Sequence, residues 1–522
     1  MQKLLLIIFF FSWINSDAQI QWMYCYGGIE NEDDATCSQT SDGGYIISAS
    51  TGSQLLNGLT GNYHGNYDMA LMKVDANGYA LWSAHYGGTN LDVCKSSQQT
   101  SDGGFILGGS TFSNDGDVTG YHGLDADLWF VKTDQNGVLQ WQKCLGGSRW
   151  DDGYSVREST DGGYFIVGIV QSTDGDVTGS LGFHDIWVVK LNSVGNIIWQ
   201  KCLGGSYEDW GYAVRETPGG GCIITGGTAS TDGNVTGNHG GLSDLWVVQL
   251  DSSGTIQWQK CYGGTSADGA YCMNSTSDGG YIIAGTTQSN DGDVSGYHGM
   301  QDAWVIKIDA LGNLQWQRCL GGTSDDIALS VCEATFGGYL VAVKSYSNNG
   351  DVVWNYGLSD YWVVVLDPSG NHVDWQMNLG GSSNDFPQSI AATTDGGLIV
   401  AGSTISVDGD VIGLLGHGDI WAVKMDNAVG VSNFDTFYGI TTFPNPVNSS
   451  LNVYFQGTYS GAGTIYLKDL MGREVSSPRS FSNLQEMQKL TIPTSDLNNG
   501  IYVLQVECKE KLVSKKILVQ HN

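Results

Sequence analysis

The segment Trp141-Gln142-Lys143-Cys144-Leu145-Gly146-Gly147-Ser148 decides the fold, because the chain repeats it at intervals of about 59 residues. Its tryptophan recurs as Trp22, Trp82, Trp141, Trp199, Trp258, Trp316 and Trp375. A pair of glycines follows each tryptophan in step, from Gly27-Gly28 to Gly380-Gly381. A fixed period of this size predicts a repeat architecture.

One repeat contains four runs with the composition of β-strands, at residues 154–159, 164–170, 185–191 and 197–203. Asp161-Gly162-Gly163 and Asn192-Ser193-Val194-Gly195 separate two pairs of these runs, and such turns favour hairpins because Gly, Asp and Asn tolerate left-handed backbone conformations. Four short antiparallel strands per repeat are typical of a propeller blade, and a helical solenoid is excluded.

Counting the strands predicts how the repeats close. The chain begins with a tryptophan strand at 19–26 and ends its repeats with a third strand at 419–426. The N-terminal strand is therefore available to complete the last blade, which would remove an open sheet edge. We expect an all-β protein with a seven-bladed β-propeller over residues 19–426, closed by its N-terminal strand.

The repeat resembles the seven-bladed propeller repeats of the SBBP type found in bacteria. The shared pattern is a tryptophan strand with Gly-Gly, then Asp-Gly-Gly-Tyr, then a third strand such as Asp185-Ile186-Trp187-Val188-Val189-Lys190-Leu191. The resemblance implies the fold but not an activity, because propellers carry unrelated functions.

Composition limits the partners. Asp and Glu total 54 against 23 Lys and Arg, which gives a net charge of −31. This charge argues against a nucleic acid or an anionic membrane surface as partner. No segment after the N-terminus has the length of a transmembrane helix, so we expect none.

The N-terminus predicts a signal peptide at residues 1–18. Lys3 precedes an apolar run at 4–14, which is too short to span a bilayer. Ser16-Asp17-Ala18 then provides the small residues of a signal-peptidase site.

The C-terminus differs in composition from the repeats. A linker is predicted at 427–441, and residues 442–522 form alternating segments that predict a small β-sandwich. This region resembles the type IX secretion C-terminal sorting domain (type A-like) in several segments, with a sorting motif that includes Pro444, Asn445, Pro446, Gly472, Gly500 and Tyr502. The resemblance implies the type IX machinery as partner and export across a Bacteroidota outer membrane, usually with removal of the domain. The expected location is extracellular or on the outer cell surface, after transit through the periplasm.

The long loops between second and third strands are rich in acids. Strand alternation places these loops and the Gly-Gly connections on one face, where binding is common. Asp-Gly-Asp segments in four of the loops make calcium a candidate cofactor, with the ligands Asp115, Asp117, Asp174, Asp176, Asp291, Asp293, Asp408 and Asp410. The alternative is that these carboxylates accept backbone N–H bonds within turns.

Histidines and tyrosines of the same loops are candidate binding residues: Tyr121, His122, His239, Tyr297 and His298. An aromatic ring beside a histidine can stack on a sugar or pack locally. The loop histidines precede the third-strand aspartates by varying offsets, which argues against a transition-metal site.

Two functions remain open. The first is a secreted, surface-displayed binding scaffold whose partner is a surface polysaccharide, an extracellular glycan or a protein. The alternative is a carbohydrate-active hydrolase or lyase that uses loop carboxylates, although the repeats are close copies and no catalytic motif is present. Unlike polar residues at the mouth of the central opening would favour the enzyme, and a near-uniform ring would favour the scaffold.

Overall fold

In a computed structural model, the chain divides into two compact units, Met1–Gly430 and Val431–Asn522. The structure describes residues 19–123, 125–426, 440–443, 447–455, 459–469, 473–484, 489–508, 511–519 and 521. All regular elements within these ranges are β-strands, and none of these residues forms a helix that could cross a membrane. The predicted signal peptide, Pro444, Asn445, Pro446 and Gly472 lie outside the described residues.

The strands of the first unit are β1 (Gln19–Tyr26), β2 (Glu32–Gln39), β3 (Tyr45–Thr51), β4 (Leu55–Leu56), β5 (Leu59–Thr60), β6 (Asp68–Val74), β7 (Ala80–Tyr86), β8 (Asp92–Gln99), β9 (Phe105–Thr111), β10 (Asp127–Thr133), β11 (Leu139–Leu145), β12 (Asp151–Glu158), β13 (Tyr164–Val170), β14 (Asp185–Leu191), β15 (Ile197–Leu203), β16 (Asp209–Glu216), β17 (Cys222–Thr228), β18 (Asp244–Leu250), β19 (Ile256–Tyr262), β20 (Asp268–Ser275), β21 (Tyr281–Thr287), β22 (Asp302–Ile308), β23 (Leu314–Leu320), β24 (Asp326–Glu333), β25 (Tyr339–Ser345), β26 (Asp360–Leu366), β27 (Val373–Leu379), β28 (Asp385–Ala392), β29 (Leu398–Thr404) and β30 (Asp419–Asp426).

These strands form a series of four-stranded antiparallel sheets, and β4 pairs with β5 alone. In chain order the sheets are one (β2-β3-β6-β7), two (β8–β11), three (β12–β15), four (β16–β19), five (β20–β23), six (β24–β27) and seven (β28-β29-β30-β1). In sheet seven, β1 pairs antiparallel with β30, and Cys25 lies opposite Trp421. The predicted all-β class and the repeated four-stranded sheets are confirmed, whereas the closed seven-bladed ring stays a prediction.

The first strand of each sheet packs against the first strands of its neighbours. Contacts join β2 to β8, β8 to β12, β12 to β16, β16 to β20, β20 to β24, β24 to β28 and β28 to β2. First strands of successive repeats therefore bring their side chains together although the residues lie far apart in sequence.

The core of the first unit lies between adjacent sheets. Second and third strands are buried along almost their whole length, as in Tyr164–Val170 and Asp185–Leu191, which explains their nearly continuous apolar sequences. One cluster joins Phe130 of sheet two to Trp187 of sheet three, and both side chains are fully buried. Burial of an aromatic side chain of this size contributes roughly 2–3 kcal/mol, so the repeated third-strand tryptophan is a main source of stability.

The fourth-strand tryptophans of six sheets contact a turn of the next sheet. The indole N–H of Trp199 donates to the carbonyl of Ser252 at 2.9 Å. Gly254 in the same turn has a φ of 80°, and a Cβ there would lie 3.0 Å from the Trp199 ring. The turn requires glycine both for its left-handed backbone and for the close approach of the ring.

The second unit consists of β31 (Ile440–Phe443), β32 (Ser450–Phe455), β33 (Tyr459–Asp469), β34 (Arg479–Leu484), β35 (Lys489–Pro493), β36 (Gly500–Cys508) and β37 (Lys511–Val519). They form the sheets β31-β32-β35 and β34-β33-β36-β37 around a core that includes Val453, Leu467 and Leu504. Because β31 begins at Ile440, the predicted linker 427–441 overlaps a strand by its last two residues, and its other residues lie outside the described ranges.

Candidate functional site

Every first strand contains a β-bulge near its start. In sheet three, the register with β13 shifts between Gly153 and Ser155, so Tyr154 has no partner on the second strand. The same shift leaves Lys95, Tyr212, Tyr271, Leu329 and Gln388 without a partner in sheets two, four, five, six and seven. Bulges redirect side chains and are frequent beside functional sites. We call these residues, together with Asp34 and Asp152, the first-strand cluster.

An ion pair joins two first strands within the cluster. Lys95 Nζ lies 2.7 Å from Asp152 Oδ2, and the two side chains are 24% and 7% exposed. The hydroxyl of Ser110 donates to the other oxygen of Asp152. The ammonium group also lies 4.0 Å from the centre of the Tyr154 ring, a cation–π contact. The lysine is therefore oriented by two groups of sheet three.

Three tyrosines form a row across sheets three, four and five. The rings of Tyr154 and Tyr212 meet edge to face with centroids 4.7 Å apart, and those of Tyr212 and Tyr271 lie 5.4 Å apart. All three side chains are half-buried, so part of each ring faces solvent. Burial raises the pKa of the Tyr154 and Tyr212 hydroxyls, which keeps them as neutral hydrogen-bond donors.

Asp34 adds a carboxyl group from sheet one. Its backbone has a φ of 58°, an unusual value for a residue other than glycine. Burial raises the pKa of this carboxyl, Lys95 lowers it, and the nearby charges of Asp33 and Asp152 raise it further. Sheets one, two and three thus contribute an acid, a base and a second acid to one region.

The cluster lies close to the face that carries the long loops. Asp151, at the start of β12, lies opposite Val170, at the end of β13, after which a long loop begins. Asp152 and Tyr154 are therefore within three residues of that face. The repeats are not close copies at these positions, because the bulged residue is Tyr in sheets three, four and five but Lys, Leu and Gln in sheets two, six and seven. Aligning the third residue after each connection aspartate would have revealed this variation.

The loop histidines do not lie in the first-strand cluster. The imidazoles of His64, His122, His239 and His298 each place Nδ1 within 3.3 Å of the third-strand aspartate of their own sheet. Nε2 of each ring faces an aspartate in the loop of the next sheet, at 3.5 Å for His122 and Asp176. These histidines precede their third-strand aspartates by four or five residues, yet all four make the same contacts. The loop differs in length by one residue without changing this geometry.

The tyrosines predicted as binding residues contact their own loops. The Tyr121 hydroxyl donates to the carbonyl of Asp125 at 2.6 Å, and that of Tyr297 donates to Met300 at 2.8 Å. These contacts stabilise loop conformation. A binding role for Tyr121, Tyr297, His122, His239 and His298 stays a prediction.

The Asp-Gly-Asp carboxylates accept backbone hydrogen bonds across sheets. The first aspartates, Asp115, Asp174, Asp291 and Asp408, accept from the residue after the Gly-Gly pair of the preceding connection, at 2.7–2.8 Å. Asp117, Asp293 and Asp410 accept from the first glycine at 3.3 Å. Across the described ranges, no three His, Cys, Asp or Glu side chains are arranged to hold a metal ion. Calcium binding by these loops stays a prediction.

Buried aspartates at the start of the first strands organise the Gly-Gly connections. Asp92 accepts the N–H of Gly88 at 2.7 Å and the hydroxyl of Ser113 at 2.9 Å, and Thr111 donates to its other oxygen. Burial raises the pKa of Asp92 to about 6 although these hydrogen bonds lower it. The equivalent aspartates Asp151, Asp209, Asp268, Asp326 and Asp385 are buried in the same way.

Two residues of the sorting motif fall in the described part of the second unit. Gly500 begins β36 and lies opposite Val519 of β37. Tyr502 is buried in the core of this unit, and its hydroxyl donates to the carbonyl of Asn498 at 2.9 Å. Tyr502 therefore contributes to the core of this unit, and Gly500 lies at the start of an inner strand of its four-stranded sheet.

Residues 441–520 match the secretion system C-terminal sorting domain. This match supports the type IX sorting function predicted for the C-terminal unit, and it indicates export to the cell surface or the extracellular space. The propeller-like repeat unit is thus the extracellular part of a secreted surface protein.

Comparisons for the rest of the chain are more distant. The regulatory protein FlaEY of Caulobacter vibrioides is 23% identical over 320 residues, which are 56% of this chain and 31% of that relative. The chain thus spans less than a third of that relative's length.

Two solved structures are similar over much of the chain. The extracellular domain of a hybrid two component system from B. thetaiotaomicron has a TM-score of 0.38 and 11% identity, covering 96% of this chain and 60% of that chain. A Synechocystis apocarotenoid oxygenase mutant has a TM-score of 0.34 and 11% identity, covering 70% of this chain and 95% of that chain.

Proposed function

We propose that the first unit is a seven-bladed β-propeller of the kind implied by the resemblance to SBBP repeats. Two observations support this arrangement. The first strands contact one another in a cyclic order that returns from β28 to β2, and β1 completes sheet seven beside β30. In such a ring the first strands surround the central opening, and the first-strand cluster lines it.

The function that the cluster supports best is binding of an extracellular glycan. The observation that supports glycan binding is the row of Tyr154, Tyr212 and Tyr271 beside the Lys95–Asp152 ion pair. Partly exposed aromatic rings offer apolar surface to the C–H faces of sugars, while phenol, ammonium and carboxylate groups exchange hydrogen bonds with hydroxyls. A few oriented polar groups among aromatic surfaces are typical of small-molecule sites.

A binding experiment with the full chain tests this proposal. Wild-type protein and the Tyr212→Ala variant are applied to an array of bacterial and host glycans. We expect Tyr212→Ala to weaken binding by at least about tenfold, because the central ring of the row is removed. Tyr207→Ala is the matched control, since Tyr207 is 62% exposed and lies outside the cluster. Equal binding by all three proteins would contradict the assignment.

The second candidate function is cleavage of a carbohydrate, either by hydrolysis or by the elimination reaction of a lyase. The first-strand cluster contains unlike polar residues, which is the feature expected of an enzyme. Asp34, whose pKa is raised chiefly by burial, and the ion-paired Asp152 offer two carboxyl groups in different environments, as acid–base catalysis requires. Incubation of a bound glycan with wild type and Asp34→Asn distinguishes the candidates. Products formed by wild type alone would establish an enzyme, and an intact glycan with both proteins would favour a binding scaffold.

Export in the native host tests the proposed route of secretion. A chain without residues 442–522 should remain in the periplasm, because the sorting domain engages the type IX machinery. A reporter fused to residues 442–522 and carrying residues 1–18 should reach the surface. Surface display of the truncated chain would contradict the assignment of the sorting domain as the export signal.

A further inference from the structure

Two arginines occupy the same position on neighbouring first strands. Arg157 lies on β12 and Arg215 on β16, each just before the glutamate that ends its strand. Both side chains are half-buried. The corresponding residues of the other sheets with the same spacing are uncharged: Gln98, Asn274, Cys332 and Ala391. The two positive charges are thus confined to adjacent strands.

Neither guanidinium has an acidic partner. Arg157 Nη1 donates to the hydroxyl of Ser96 at 2.9 Å and to its neighbouring carbonyl at 2.7 Å. Arg215 donates from Nε and Nη2 to Asn274 Oδ1, at 2.9 and 2.8 Å. Within the described part of the chain, no carboxylate oxygen lies within 4.0 Å of either group, although acids outnumber bases in the sequence.

The adjacent glutamates are held elsewhere. Glu158 accepts the N–H and the hydroxyl of Ser101, at 2.7 and 2.8 Å. Glu216 accepts the same two groups of Thr160, both at 2.9 Å. Since Ser101 and Thr160 belong to first-hairpin turns of the preceding sheets, these carboxylates stabilise contacts between sheets and do not neutralise the arginines.

The arginines also repel each other. Burial, and then the charge of Arg215, lower the pKa of Arg157 to about 9, and burial lowers the pKa of Arg215. Two like charges partly removed from water are unfavourable unless an anion compensates them. Arg157 retains N–H groups on Nε and Nη2 that have no hydrogen-bond partner among the described residues.

We propose that Arg157 and Arg215 together bind an oxyanion, a carboxylate or sulfate group, with Arg157 held by Ser96 of β8 and Arg215 held by Asn274 of β20. Guanidinium groups suit such ligands because they donate two parallel N–H bonds. Ser96 stands beside the site as a further hydroxyl. The arginines follow Tyr154 and Tyr212 by three residues, which is about 10 Å along a strand. A glycan stacked on the tyrosine row can therefore place an acidic substituent against the arginines, and this part of the inference rests on the proposed function.

The oxyanion site is tested first with inorganic sulfate and the full chain. Thermal unfolding is measured in sodium sulfate and in sodium chloride at equal ionic strength. Sulfate stabilises most proteins to some extent, so the informative quantity is the difference between variants. We expect sulfate to raise the melting temperature of wild type by a few degrees more than that of Arg157→Gln or Arg215→Gln. Arg149→Gln, at an exposed arginine, is the matched control and should respond as wild type does.

Arg215→Lys is the control for a folding defect in the glutamine variant. It preserves the positive charge and should retain part of the sulfate response. An identical response in wild type and both glutamine variants would overturn the proposal.

A second arm distinguishes a free anion from a glycan substituent. Wild type and Arg215→Gln are compared on neutral glycans and on uronate-containing or sulfated ones. Loss of acidic-glycan binding by roughly tenfold or more, with unchanged binding of neutral glycans, would support the glycan source. A sulfate response without any glycan binding would support the oxyanion site and contradict the proposed glycan function. Glycan binding by wild type without a sulfate response or acidic preference would leave the glycan function standing and overturn this inference.

Discussion

The imidazole of His122 in sheet two lies 3.5 Å from the carboxylate of Asp176 in the loop of sheet three. The same relationship links three other pairs of sheets, through His64 and Asp117, His239 and Asp293, and His298 and Asp351. Each bridge connects neighbouring repeats by a contact between a potential cation and an acid.

Three sheets lack this bridging histidine, and after two of them an asparagine replaces the loop aspartate of the next sheet. In sheets three and seven, the backbone N–H groups of Leu181 and Leu415 donate to the third-strand aspartate in place of a histidine. In the loops of the sheets that follow, Asn234 and Asn57 stand in place of the aspartate. Their side-chain oxygens accept the backbone N–H groups of Gly204 and Gly27. Sheet six is the exception, since Tyr356 takes the histidine position but Asp410 remains.

Asp410→Asn should therefore stabilise the protein at alkaline pH. Burial, and then the charge of Asp385, raise the pKa of Asp410 to about 7 from 3.8, although an N–H bond from Gly380 opposes this. Between these values the folded state holds a proton that the unfolded state has lost, so stability falls as the pH rises. We expect a gain of about 1–3 kcal/mol at pH 8 that disappears towards pH 4, measured by chemical denaturation across pH. Asp176→Asn, opposite His122, is the control without such a gain. A gain that did not vary with pH would contradict this electrostatic explanation.

Asp278→Asn should destabilise the turn between β20 and β21. Lys307 Nζ lies 2.8 Å from Asp278, and the lysine side chain is 2% exposed against 53% for the aspartate. Burial raises the pKa of Asp278, but hydrogen bonds from Lys307 and Thr276 prevail and lower it to about 2. The pair therefore stabilises the fold above pH 4, and its contribution is lost as the pH falls towards 2. We expect a cost of about 1–2 kcal/mol at neutral pH in urea denaturation, kept small by the exposure of Asp278.

The double variant Asp278→Asn, Lys307→Gln is the control, because it removes both charges. At the positions equivalent to Lys307 and Asp278, sheet four has Gln249 and Gly219, and sheet six has Val365 and Phe336, so the fold already accepts an uncharged pair. The double variant should recover part of the lost stability. Equal destabilisation by the single and double variants would show that the turn, and not the unpaired lysine, is responsible.

The sequence predicted the all-β class and the repeated four-stranded sheets because the repeated residues occupy buried positions. Third-strand tryptophans such as Trp187 and Trp246 have one geometric role in every sheet but the first, where Ala70 takes the position, so period and strand order follow from spacing. The first-strand cluster could not be found in this way. The residues on its bulges, such as Lys95, Tyr154 and Leu329, are not the same in every repeat, and they are brought together only by contacts among first strands. The loop histidines were visible, but their shared bridging geometry was hidden by loops of unequal length.

Deletion of residues 19–26 should weaken sheet seven. Trp22 and Tyr26 are buried, and the Tyr26 hydroxyl donates to the carbonyl of Gly78 in sheet one at 2.6 Å. Loss of β1 exposes the edge of β30, so we expect a melting temperature lower by several degrees, or aggregation. Differential scanning calorimetry and light scattering measure these effects. Addition of a peptide of residues 19–26 should restore part of the stability, and an unchanged melting profile of the deleted chain would contradict closure by the N-terminal strand.

Calcium should have little effect on unfolding if the loop carboxylates act as acceptors of backbone N–H groups. Asp174, for example, accepts the N–H of Ser148 at 2.8 Å without a metal. We expect superimposable melting curves in millimolar calcium and in chelator. A melting temperature raised by calcium, and lost in Asp174→Asn or Asp291→Asn, would instead establish the Asp-Gly-Asp loops as metal sites.

The most direct test of the first-strand site is hydroxyl-radical footprinting of the full chain with and without the glycan that binds it most tightly. Mass spectrometry reports the oxidation of each tyrosine. We predict that the ligand protects Tyr154, Tyr212 and Tyr271, while Tyr79 and Tyr207, both 62% exposed, react as before. Protection confined to the loop tyrosines Tyr121 and Tyr297, with unchanged oxidation of Tyr212, would place the ligand on the long loops and contradict the assignment of the site to the first strands.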